Sequence, residues 1–99
     1  MIVWYLRVEW HHHFSEEPVE LYSEIDDRGY ETRKVQVFRD GRREWADGDS
    51  ETAMTGLSEV PIGSLEEIAS QAEFSASVMA KEEFERLWDQ VKGAHRPMS

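Results

Sequence analysis

Ninety-nine residues make one domain, long enough to bury roughly 60 to 70% of its unfolded surface without a covalent staple. The chain has no cysteine, which removes disulfides, thiolate zinc sites and cysteine nucleophiles and fits a reducing, cytoplasmic compartment. Its formal net charge of −10 repels polyanions, so direct nucleic-acid or anionic-membrane binding is disfavoured and a basic protein partner is expected, although acidity also serves solubility.

The apolar opening, Met1 to Leu6, is broken by Arg7 and Glu9 and lacks the marks of a secretion signal, and no apolar run approaches the ~18 residues of a membrane helix. It reads instead as a first strand. Ile2, Trp4, Leu6, Val8 and Trp10 alternate with Val3, Tyr5, Arg7 and Glu9, and the apolar residues in both sets place the strand centrally or under cover on both sides. A second strand follows from Val19, bounded by Pro18 and ended by the turn chemistry of Asp27-Arg28-Gly29. Folding back about that turn with Ile25 opposite Glu31 sets Leu21 against Val35, Val19 against Val37, Glu24 beside Thr32 and Tyr22 beside Lys34, in a third strand over 30–39.

Asp40-Gly41 is a strong hairpin signal leading to a fourth strand over 42–46. A two-residue loop would pair Val37 with Glu44; a three-residue loop through Arg42, preferred here, pairs Val37 with Trp45 and keeps the face apolar. The stretch 47–60 shows no sustained period and reads as loop. Ser64-Leu65-Glu66-Glu67 is a capping box that opens a short helix over 65–72, and Phe74, Ala76 and Val78 alternate with serines as an edge strand. In 81–92, Phe84, Leu87, Trp88 and Val91 fall on one helical stripe, acids crowd the first turns, and Gly93 reads as the cap.

The predicted fold is therefore α+β: an antiparallel four- to five-stranded sheet in chain order β1-β2-β3-β4-α1-β5-α2, with two helices packed on one face. Residues 1–92 form the domain, 93–99 a tail, and a monomer or weak dimer is expected. At least three of the four tryptophans are expected in the core: Trp4 and Trp10 on the inward face of the first strand, Trp88 on the helix stripe, and Trp45 in the preferred hairpin register.

Val8-Glu9-Trp10, Glu17-Pro18-Val19, Leu21-Tyr22-Ser23-Glu24, Arg33-Lys34-Val35, Phe38-Arg39-Asp40-Gly41, Thr55-Gly56-Leu57, Glu59-Val60-Pro61 and Glu82-Glu83-Phe84-Glu85 spread over nearly the whole ordered chain. In these residues it resembles a small bacterial family of about ninety residues, common in actinobacteria, known as a domain of unknown function. The family pattern has an acidic residue where this chain has His13, just before Phe14. The resemblance implies no activity, cofactor or catalytic residue.

Nucleophile elbows, phosphate-binding loops and dinucleotide fingerprints are missing, and carboxylates are too abundant for any pair to stand out, so a non-enzymatic role without a cofactor is favoured. His11-His12-His13 follow the first strand. If it continues, Glu9, His11 and His13 share one face at about 7 Å per step, a conceivable divalent-metal set, with solvated or carboxylate-paired histidines as the plainer alternative. His12 would point the other way. Trp10 and Phe14 could line a small pocket there.

Charge is partitioned along the chain. Between Glu16 and Glu31 there are seven acids and only Arg28, whereas 32–43 holds five bases and Asp40, which reads as cross-strand complementarity. From Glu44 to Glu85 there are eleven acids against Lys81 alone. Glu44, Asp47, Asp49, Glu51, Glu59, Glu66 and Glu67 are thus candidates for an acidic partner-binding surface. The leading expectation is an acidic protein-interaction module, an immunity- or inhibitor-like antagonist of a basic toxin or nucleic-acid enzyme. The alternative is a small-ligand or divalent-metal module centred on the Trp10–Phe14 loop.

Overall fold

A computed structural model describes residues 3–48, 56–57 and 61–94. Five strands and two helices follow one another as β1 (Trp4–Trp10), β2 (Pro18–Ile25), β3 (Glu31–Phe38), β4 (Arg43–Asp47), α1 (Leu65–Ala69), β5 (Phe74–Met79) and α2 (Lys81–Ala94). All strand pairs are antiparallel, and the sheet order β4-β3-β2-β1-β5 departs from chain order. The chain leaves the sheet after β4 and returns to its opposite edge, so that β5 pairs with β1.

The helices lie on opposite faces, which corrects the expectation that both share one. Tyr5, Val35 and Trp45 meet Phe84, Trp88 and Val91 of α2 on one side, while Leu6, Val8 and Ile25 pack with Leu65 and Ile68 of α1 on the other. The reason is already present in β1. Its odd residues carry Val3 and Tyr5, its even residues Trp4, Leu6 and Val8, and a central strand apolar on both sides requires cover on both sides.

Two registers also differ from expectation. Ile25 does oppose Glu31, but a β-bulge follows, so that Glu24 opposes Arg33, Tyr22 opposes Val35 and Leu21 opposes Gln36. One extra residue, Thr32, turns the remainder of β3 over. At the next hairpin Val37 pairs with Arg43, neither with Glu44 nor with Trp45. Gly41 takes the left-handed position with φ +90°, its N–H donates to Phe38 O at 2.9 Å, and Phe38 N–H donates to Arg42 O at 2.9 Å. The loop is therefore Arg39-Asp40-Gly41, with Gly rather than Arg42 in the strained seat. Trp45 still reaches the α2 face, opposite Val35. Trp45 and Trp88 are buried, whereas Trp4 and Trp10 are half-buried on the α1 side.

Ser64 caps α1 by accepting from Glu67 N–H at 3.1 Å, as its sequence predicts. The helix is shorter than expected: Ser70 Oγ donates to Glu67 O at 2.7 Å, and the chain turns toward β5. Helix α2 is longer, continuing through Gly93 to Ala94; residues 95–99 lie outside the described ones.

Arg33 joins the sheet to α2. Its Nε and Nη2 donate to the two oxygens of Glu24 at 2.9 and 2.5 Å, Nη2 also donates to Glu85, and the guanidinium lies 5.0 Å from the Phe84 ring centroid and 5.2 Å from that of Trp88. Glu24 further accepts from Thr32 Oγ1 at 2.7 Å and Tyr5 OH at 3.0 Å. The Arg33 hydrogen bonds outweigh partial burial and hold the Glu24 carboxyl down at about 2, against an ordinary 4.5. The same pairing pushes Arg33 further up, and burial with the Glu24 bond raises Tyr5.

Two measurements follow from this packing. Trp88→Ala should lose about 3 to 5 kcal/mol in denaturant unfolding, because the ring is buried between Trp45 and Phe84; a loss under about 1 kcal/mol would contradict that placement. Glu24 is depressed in the folded state, so its contribution is complete above the unfolded-state pKa near 4.5 and is lost as pH falls through about 2. Wild type should exceed Glu24→Gln by an amount that shrinks across this window, by at most about 3 kcal/mol. A pH-independent difference would remove the ion pair from the account.

Candidate functional site

The connection between β1 and β2, residues 11–17, is organised by one histidine. His11 N–H donates to Glu73 O at 2.7 Å and carries the β1–β5 ladder one step beyond Trp10. The chain then folds over His12, whose Nδ1 accepts from Phe14 N–H at 2.9 Å while Nε2 lies 2.7 Å from Pro18 O. An accepting Nδ1 and a carbonyl partner at Nε2 together require the neutral ring with its proton on Nε2. Arg39 braces the loop from the β3 end by donating to His12 O at 2.6 Å.

Trp10, His12 and Phe14 thereby form a continuous aromatic ridge. The Trp10 and His12 ring centroids are 4.3 Å apart, His12 and Phe14 stack at 5.4 Å, and Phe74 of β5 supports Trp10 at 5.9 Å. Phe14 is 62% exposed, an unusual position for a phenylalanine held in an ordered stack. An open cavity of about 420 Å³ lies beside it, lined by Trp10, Phe14, Ser15, Glu16 and Glu17. Aromatic faces next to two exposed carboxylates form a surface whose chemistry suits a cation: ring quadrupoles attract positive charge and the carboxylates supply its counter-charge. The buried Trp10 indole N–H has no acceptor among the described residues.

Trp10 and Phe14, singled out as a possible pocket, are brought together. The Glu9, His11 and His13 set is not: Glu9 pairs with Arg7 at 3.1 Å, His11 Nε2 lies 2.7 Å from Ser75 Oγ, and His13 is exposed. Among the described residues no three His, Asp or Glu side chains group to hold a metal ion. Of the acidic surface candidates, Glu44, Asp47, Glu66 and Glu67 are among the described residues. Glu44 is only 7% exposed, because even-numbered residues of β4 turn toward the α1 side of the sheet, and Asp47 lies 3.7 Å from Lys92. Glu66 and Glu67 are exposed on α1, while Asp49, Glu51 and Glu59 lie outside the described residues.

Sequence reading passed over His12, Glu16 and Glu17. Aromatic rings at 10, 12 and 14 ahead of Pro18 carried the signal.

A second cavity, about 290 Å³, lies between α1 and the sheet; it is lined by Leu6, Val8, Leu21, Ile68 and Phe74, with Ser23 and Glu31 as polar groups. Glu31 accepts from Ser23 Oγ at 2.8 Å and pairs with Lys34 at 3.1 Å, so its carboxylate is engaged within the fold.

No described helix is long and apolar enough to cross a membrane. Comparison with curated proteins and with solved structures finds no match. Residues 4–93 match the sequence profile of one family, and the chain therefore belongs to the family described as Domain of unknown function (DUF6881).

Proposed function

We propose that this domain is a non-enzymatic binding module that engages a basic protein by receiving a lysine or arginine side chain in the Trp10–Glu17 cavity. The observation that carries this reading is the exposed Phe14, stacked on His12 beside a cavity that Glu16 and Glu17 also line. An aromatic anchor with acidic neighbours is the composition expected of an interface hot spot for a cationic side chain. The net charge of −10 acts at longer range, steering a basic partner toward any face of the molecule. Recognition is thus assigned to the loop and steering to the whole surface, rather than both to a single acidic patch. In its narrower form the partner is a toxin or nucleic-acid enzyme whose basic site this domain covers.

The same cavity could take a small free cation, and one experiment separates the two. A partner recovered from native lysate and purified should bind faster at low than at high ionic strength. Phe14→Ala should weaken that complex by about tenfold or more, and Glu16→Gln with Glu17→Gln should weaken it and flatten its salt dependence. Saturable binding of tetramethylammonium alone, followed by the Trp10 indole N–H signal, would favour the small-cation reading. Unchanged affinity in both variants would overturn the assignment of this loop.

A further inference from the structure

We propose that β5 is a pairing edge for a second copy of this chain, joining two sheets into one through an antiparallel β5–β5 contact centred on Ala76. The sheet order makes β5 an edge strand. The bond from His11 N–H to Glu73 O fixes which residues of this strand face β1: with an unbroken register, Glu73, Ser75, Ser77 and Met79 turn inward. Ala76 and Val78 therefore direct N–H and C=O away from the sheet, and so does the Phe74 C=O, its N–H being taken by Gln71 O at 3.0 Å. Among the described residues nothing pairs with this outer side.

Natural edges are protected by charge, proline, bulges or shortness. The opposite edge, β4, has three charged residues in five, Arg43, Glu44 and Asp47. Strand β5 is Phe-Ser-Ala-Ser-Val-Met, with no charge, no proline and no bulge, in a chain in which 32% of residues are charged. Val78 is 61% exposed on it.

The occupant is identified by self-complementarity. A two-fold axis normal to the sheet keeps each face on its own side, so paired residues must share parity. With Ala76 opposite Ala76, Phe74 meets Val78 of the second copy on one face, Ser75 meets Ser77 on the other, and Val78 loses its exposure. The outward groups then match: Ala76 N–H with Ala76 C=O, and Val78 N–H with Phe74 C=O, each occurring twice. One strand pair buries less than the ~1,200 Å² of stable interfaces, so this contact is weak and concentration-dependent.

This contact is independent of the basic-partner reading, and salt separates them, because two copies of charge −10 repel. Sedimentation and dilution NMR up to about 1 mM protein should show a dimer that tightens as salt rises, with shift changes concentrated on β5. Binding of a basic partner should weaken under the same change. Ala76→Pro removes an outward N–H without touching the β1 ladder, which an edge strand tolerates, and should weaken the dimer at least about tenfold. Val78→Lys should do the same even though it reduces the net negative charge, and stands in if the proline variant fails to fold. A protein that stays monomeric at every salt concentration, or a dimer indifferent to folded variants at both positions, would overturn the proposal.

Discussion

The side of the sheet under α2 depends on where Arg33 can go. A guanidinium stays charged at any physiological pH, so one that lies under a helix must find carboxylates and a surface that tolerates its faces. Glu24 supplies a two-point partner, Glu85 a third contact from the helix, and Phe84 and Trp88 supply the aromatic faces. None of this is available if β3 continues in the register set by Ile25 and Glu31, because Arg33 would then face α1. The bulge at Thr32 resolves the conflict, and Thr32 is itself used, its hydroxyl donating to Glu24. Breaking one member of so enclosed a pair leaves an uncompensated charge, which makes the wrong register far more costly than the bulge.

That coupling explains what could and could not be read from the chain. Strand and helix positions follow from local periodicity and turn chemistry, and Gly29, Asp40, Gly41 and Ser64 act where their chemistry places them, while in the β2–β3 turn it is Asp26, not Asp27, that accepts from the Arg28 and Tyr30 N–H groups. The bulge is not local: it exists because a residue on β2, one on β3 and two rings on α2 meet in space. Assigning the helices to faces failed for a related reason. Two apolar helix stripes look alike in sequence, and only the return of β5 to the β1 edge decides which face each one covers.

Charge reads differently in three dimensions as well. The acids of β2 and bases of β3 do meet, as Glu24 with Arg33, and Arg7 of β1 approaches Glu20 at 3.7 Å. In the acid-rich stretch after Glu44, Glu44 is enclosed and Asp47 approaches Lys92, which also lies 4.2 Å from the Trp45 ring. Trp10 and Phe14 do meet, with ring centroids 6.5 Å apart beside one cavity.

The sheet separates the Arg33–Glu24 pair from the aromatic loop along its strands. The Arg33–Glu24 pair lies near the end of β2, whereas His12 is tied to Pro18 at its start, about 20 Å away at roughly 3.3 Å per residue. At that distance substitutions act almost independently unless they share a partner. The loop rests on the ends of β1, β2, β3 and β5 through Trp10, Pro18, Arg39 and Phe74, so its aromatic ridge is held by rigid elements while its outer face, Phe14 with Glu16 and Glu17, stays open. A loop built in this way can change its tip residues without disturbing the register under α2.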